Sequence, residues 1–180
     1  MLKNLNPNYA IVLSTLLWGT WWYPLRLFNE YAYNNAIPLT LSFTIAGLFL
    51  LFFSYKNISK LTNRNLILTI VAASAGAAAM CLYNEGLIRG NVARVLIFFY
   101  LTAVWSTLIE IIFLRAALNI YRFFSISSGF VGLFIITGLD QGNFMPSTLA
   151  DLFGILSGFL WSICATLISC LLYTSPSPRD

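Results

Sequence analysis

Apolar residues along this chain gather into six long runs parted by short polar connections, and the run between Arg94 and Arg115 sets the pattern. Its twenty interior residues, VLIFFYLTAVWSTLIEIIFL, include one formal charge, Glu110. At about 1.5 Å of rise per residue, a helix of that length crosses a hydrocarbon core of roughly 30 Å. With about 100° between neighbours, Phe99, Thr102, Ala103, Ser106, Thr107 and Glu110 share one arc, and Leu101, Trp105, Leu108 and Ile112 lie opposite. A small and polar stripe is costly against lipid, so the span needs other helices or a water-filled cavity beside it.

The same pattern places a first span at 9–28. Pro24 removes one of its backbone hydrogen bonds and predicts a kink near 19–24. Trp18, Trp21, Trp22 and Tyr23 stand where a cleavable signal would carry small residues, so the helix is retained. Pro38 suits the first turn of a second span, 37–55, and the polar connection KNISKLTNR follows. A third span, 66–84, is built on Ala72, Ala73, Ser74, Ala75, Gly76, Ala77, Ala78 and Ala79. That run predicts close helix contact or a thin wall beside a cavity. Span four is the opening stretch; span five, 122–139, has a small side of Ser125, Ser128, Gly129 and Gly132. A turn-rich connection, DQGNFMPSTLAD at 140–151, predicts a helix cap at Ser147 or Asp151. The sixth span, 152–173, carries Gly154 and Gly158 at the GxxxG spacing of packed membrane helices.

Composition agrees: 59% of the 180 residues are hydrophobic and 9% charged, with mean hydropathy +0.80. A soluble domain carries roughly 25% charge. The formal charge of +4 sits in the connections, where it orients helices and forms no nucleic-acid patch. Lys3, Lys56, Lys60, Arg64, Arg115 and Arg122 fall on one side of the membrane; Arg26, Arg89 and Arg94 fall on the other with Glu30, Glu85, Asp140 and Asp151. Positive residues favour the cytoplasm, which predicts a cytoplasmic N-terminus. With no His in the chain, the usual proton shuttle and the usual zinc or haem ligand are missing, and no cofactor is expected. Cys81, Cys164 and Cys170 form no CxxC and read as buried free thiols.

Leu13, Ser14, Leu17 and Trp18 match Leu156, Ser157, Leu160 and Trp161 at corresponding points of the first and sixth spans. A five-span unit puts its second copy upside down, the inverted-repeat plan of many secondary transporters. The expected fold is therefore an all-α membrane protein of six transmembrane helices. Residues 1–139 would form one repeat, 140–151 an extracytoplasmic connection and 152–169 the first helix of a truncated second repeat. The tail CLLYTSPSPRD, 170–180, resembles the translation of a sequencing-library adapter and is excluded as artefactual, the alternative being a short disordered Ser-Pro tail.

Three stretches, WGTWWYPLRL from Trp18, NEGLIRGNVARVLIFFYLTAVWSTLIE from Asn84 and ADLFGILSGFLWS from Ala150, resemble the EamA family of the drug/metabolite transporter superfamily. FFYLTAVWST, from Phe98 to Thr107, carries most of the likeness. The resemblance implies ten-helix carriers of two inverted five-helix repeats, with a substrate cavity between them, many exporting amino acids, metabolites or toxic compounds. Ala103 departs from the family, which usually has proline there and so a kink. Arg115 and Ala116 follow Leu114 where a leucine-glycine pair and a glutamate are usual.

Candidate residues of a substrate pathway are Trp18, Tyr23, Asn84, Arg94, Tyr100, Thr102, Ser106 and Glu110. Glu110, at membrane depth, suits a proton relay, a cation partner or a pair for a neighbouring helix, or else reaches interfacial water. Arg94 suits an anionic substrate group or phospholipid headgroups. Asn84 and Glu85, close to Arg89 and Arg94, form either a polar cluster at the outer mouth or a solvated loop. Trp18 and Tyr100 are the rings favoured for a cavity wall, the rest belonging to interface belts and packing.

The expected function is that of a truncated secondary transporter in the cell membrane, working by alternating access on small metabolites, amino acids or drug-like compounds. No GxxxxGK[ST] loop is present, so nucleotide does not drive it. Its partners would be a small-molecule substrate, the bilayer, and a missing second repeat or a second copy of the chain. An accessory bundle without transport is the alternative. A membrane-embedded lipid-modifying enzyme would need clustered His, Asp, Glu or Cys, and Glu110 is isolated in its span.

Overall fold

The computed structural model describes residues 7–31, 43–53, 62–114, 119–137 and 148–174. All their regular structure is helical, and no strand occurs among the described residues. In chain order the helices are α1 (Pro7–Thr20), α2 (Trp22–Tyr31), α3 (Phe43–Phe53), α4 (Asn63–Arg89), α5 (Val92–Tyr100), α6 (Thr102–Leu114), α7 (Ile120–Thr137) and α8 (Leu149–Thr174). Among the described residues, three stretches are long and apolar enough to cross a membrane: Asn63–Arg89, Val92–Phe113 and Leu149–Leu171. Two compact units divide the chain, Met1–Leu50 and Leu51–Asp180, with the boundary inside α3.

In the first unit the expected kink is present. α1 ends at Thr20, whose carbonyl is the one Pro24 cannot reach, and Trp21 forms the break. Around it, the Trp21 amide donates to the Trp18 carbonyl at 3.2 Å and the Leu25 amide to the Trp21 carbonyl at 3.3 Å. Pro38 and most of the polar connection after α3 lie outside the described residues.

The core of the second unit is a three-helix bundle. α4 turns into α5 through Gly90 and Asn91, and the Asn91 side chain caps α5 by accepting from the Arg94 amide at 3.3 Å. So short a turn sets the two helices antiparallel. α8 packs most extensively on α4, then on α5 and α6. Its register shows in the glycines. A methyl group at Gly90 would meet the Ala150 side chain and one at Gly76 the Cys164 sulfur, so α8 runs against α4. Methyl groups at Gly154 and Gly158 would meet the Val95 and Phe99 carbonyls, so α8 runs along α5.

The alanine-rich third span behaves as close packing requires: Ala72, Gly76, Ala79, Tyr83, Asn84, Gly86 and Leu87 are its buried side. These recur every three or four residues, the spacing of a single helical seam. In lipid such seams are held by dispersion and backbone proximity, which small side chains permit. Large apolar side chains such as Ile70, Ile112, Phe113 and Val131 point outward, as lipid demands.

Two expectations change in this unit. Cys164 is buried, but Cys81 is exposed because it lies away from the α4 seam. The cap of α8 is Thr148, one residue after Ser147, with Asp151 as its return partner: the Thr148 amide donates to Asp151 Oδ2 and the Asp151 amide to Thr148 Oγ1, both at 3.2 Å. Such a reciprocal box satisfies two amides that the helix start would otherwise leave unpaired. α8 then continues through Cys170 to Thr174.

Candidate functional site

Span four is not one continuous helix. Although Ala103 is not proline, α5 stops at Tyr100 and α6 starts at Thr102, with Leu101 between them. The Thr102 hydroxyl donates to the Phe99 carbonyl at 2.6 Å, and the Leu101 amide reaches back three residues to the Phe98 carbonyl at 3.3 Å. A hydroxyl that takes a helix carbonyl can bend its helix, and this break coincides with such a bond and with no proline. The same hydroxyl lies 3.2 Å from the Gly158 carbonyl, so the break is seated directly on α8.

At this break an open cleft of about 400 Å³ separates α5 and α6 from α7. It is lined by Tyr100, Ala103, Ser125, Ile126, Gly129 and Phe130. Tyr100 and Ala103 sit near the middle of the Val92–Phe113 stretch, so the cleft lies midway along a segment long enough to cross a membrane. Its walls are apolar apart from two hydroxyl-bearing side chains, Tyr100 and Ser125.

Ion pairs bracket the cleft along the span. At the Gly90 end, Arg94 Nε donates to Asp151 Oδ1 at 3.2 Å and Nη2 to Oδ2 at 2.8 Å. The Arg94 guanidinium also lies 5.8 Å from the centre of the Phe98 ring. Near the other end, Arg122 Nη1 of α7 donates to Glu110 Oε2 of α6 at 2.5 Å. Glu110 is therefore the partner of a neighbouring helix, and no longer isolated. The polar cluster around Glu85 resolves into separate pairs: Arg89 Nε donates to Glu85 Oε2 at 2.6 Å within α4, and Arg94 turns to α8.

Among the other candidates, Asn84 is buried on α4 beside Tyr83, whose ring stands 4.7 Å from that of Phe99. Ser106 donates to the Ala103 carbonyl of its own helix at 3.2 Å, as does Thr107 at 2.8 Å. Trp105 turns its ring edge-on to Phe159 of α8, 5.5 Å away. Trp18 and Tyr23 belong to the first unit, where both are exposed and Tyr23 stacks edge-on to Trp22 at 5.8 Å. Of the eight candidates, Tyr100 alone lines the cleft; Arg94 and Glu110 hold the ion pairs, and Thr102 joins α5 to α8.

Sequence reading missed Asp151 as a partner for Arg94, taking it for a cap and an outer-side charge. The expected alternation of six spans held the clue, since it would place the starts of spans four and six at the same membrane face. Arg122 for Glu110 had a parallel clue, both lying near the ends where spans four and five adjoin.

A family model described as the EamA-like transporter family matches residues 6–138. The chain belongs to the EamA-like transporter family. It is accordingly an integral membrane protein of transporter type, and the family's members are carriers and not enzymes. Comparison with curated proteins and with solved structures gives no match. The family match takes in α1 to α7 and stops before α8, so the cleft lies within it and Asp151 outside it.

Proposed function

We propose that this EamA-like protein is a secondary carrier that moves small amphipathic metabolites or drug-like compounds across the cell membrane by alternating access. The observation that carries the reading is the open cleft beside the broken span, midway along a segment long enough to cross a membrane, in a chain of a transporter family. Broken helices supply carriers with free backbone groups and shape a midplane site. Apolar walls with two hydroxyl groups suit a substrate with a ring-sized body and a few hydrogen-bonding groups. Tyr100 and Ser125 would contact it directly, and Ser106 and Glu110 would lie further along the same path.

Residues 1–139 act in this reading as one five-helix repeat, and 152–169 open an inverted copy. A second half, or a second copy of the chain, would complete the wall of the cleft. The balance of positive connections favours the Gly90 end facing outward.

Flux into proteoliposomes across a panel of amphipathic metabolites tests the proposal. Gradient-driven uptake is expected, and Ser125→Trp, which fills the cleft, should abolish it while the protein remains folded and inserted. Absence of flux from correctly inserted protein, alone or paired with its second half, would overturn the reading.

A further inference from the structure

The helices around the cleft are joined by two very different seams. On the α8 side the backbones nearly touch. A methyl group at Gly158 would lie 2.6 Å from the Phe99 carbonyl oxygen, one at Gly154 2.9 Å from that of Val95, and one at Gly90 2.5 Å from the Ala150 side chain. The Asp151 side chain is 3% exposed and holds the Arg94 fork while it closes the cap of α8. Pulling α8 from α5 would strip a buried carboxylate of its cation in a low-dielectric setting, which is strongly unfavourable.

The α7 side is the opposite case. Methyl groups at Gly129 and Gly132 would meet nothing within 4 Å, and the facing surfaces of Ile126 and Phe130 are apolar. Lipid tails can replace such contacts at little cost, because no hydrophobic drive holds helices together in a bilayer. Glu110 and Arg122 tie this side near the helix ends, with side chains 30% and 41% exposed, so the pair can part into interfacial water.

We propose that α8 moves with α4 and α5 as one rigid body clamped by Arg94 and Asp151, while α7 swings on the Glu110–Arg122 tether to widen or narrow the cleft. This rests on the carrier reading above and deepens it. The rocking boundary then follows the cleft between α5/α6 and α7, and does not follow the join between the two repeats. A helix of the second repeat travels with the first.

Spin-label distance measurements on the full chain in lipid nanodiscs test this, with Cys81, Cys164 and Cys170 replaced by Ala. Labels at the outward-facing residues Val71 and Leu156 report α4 against α8; labels at Leu108 and Val131 report α6 against α7. A narrow single distance is expected for the first pair and a broad or two-peaked distribution for the second. Glu110→Gln should shift the second distribution and leave the first in place, so the first pair also serves as the folding control. Equal widths in the two pairs, or no shift on Glu110→Gln, would overturn the proposal whether or not the protein transports. Conversely, the expected asymmetry without any flux would remove the carrier reading and leave the two-body division standing.

Discussion

Arg94 on α5 and Asp151 on α8 meet as a forked ion pair, although 57 residues separate them in the chain. Asp151 also caps its own helix through Thr148, so one carboxylate fixes both where α8 begins and what it leans on. Removing either function should be visible separately.

Asp151→Ala removes the carboxylate that Arg94 holds on α8 and should destabilise the bundle by ~3–5 kcal/mol, the range for breaking a buried pair. The lower end is expected because the Arg94 side chain is 29% exposed. Unfolding titrations in mixed micelles measure the loss. The exchanged pair Arg94→Asp with Asp151→Arg should recover part of it, whereas full additivity of the two single changes would show that the residues do not interact.

Thr148→Ala removes the hydroxyl that accepts from the Asp151 amide and leaves the ion pair in place. A cost of about 1 kcal/mol is expected, as for other lost helix caps. Hydrogen exchange should speed up at the first turn of α8 and remain unchanged in α5. Faster exchange throughout α5 would mean that the cap and the seam are not separable.

Two glycines give a matched contrast. Gly158→Ala drives a methyl group into the Phe99 carbonyl and should cost ~1–3 kcal/mol by overpacking. At Gly129 the added methyl meets open space, so Gly129→Ala should be neutral or stabilising by up to about 1 kcal/mol through helix propensity. Thermal unfolding in one detergent compares them directly, and equal effects would contradict the packing described for α8 and α7.

Glu110→Gln should barely alter stability, by ~0–1 kcal/mol, because its pair with Arg122 is partly exposed. Its effect belongs to transport: flux should change several-fold while the unfolding midpoint stays near that of the unsubstituted protein. A large loss of stability at constant flux would make the pair a structural strut.

Much of this architecture is readable from local pattern. Pro24 announces the break at Trp21 because a missing amide acts on its own helix, four residues back. Ala72, Gly76 and Ala79 announce a close seam because small side chains in lipid have few other uses. The long apolar run of the fourth span likewise shows a membrane crossing through its length and composition alone. In each case the cause lies within one helix, and the family likeness of Phe98 to Thr107 rests on the same local text.

Partners across helices are another matter. The stripe of Phe99, Thr102, Ala103 and Glu110 showed that one side of the span must be covered, but not that α8 takes Thr102 while α7 takes Glu110. A helical arc records which residues share a face and carries no information on which distant segment meets it. The break at Leu101 falls in the same class, since Thr102 can either continue a helix or take the Phe99 carbonyl, and its seat against Gly158 accompanies the second choice. Hydrophobic length and periodicity therefore determine that these helices exist and which sides they hide. Close approach of backbones and the meeting of buried charges, both long-range in the chain, select the neighbour for each side.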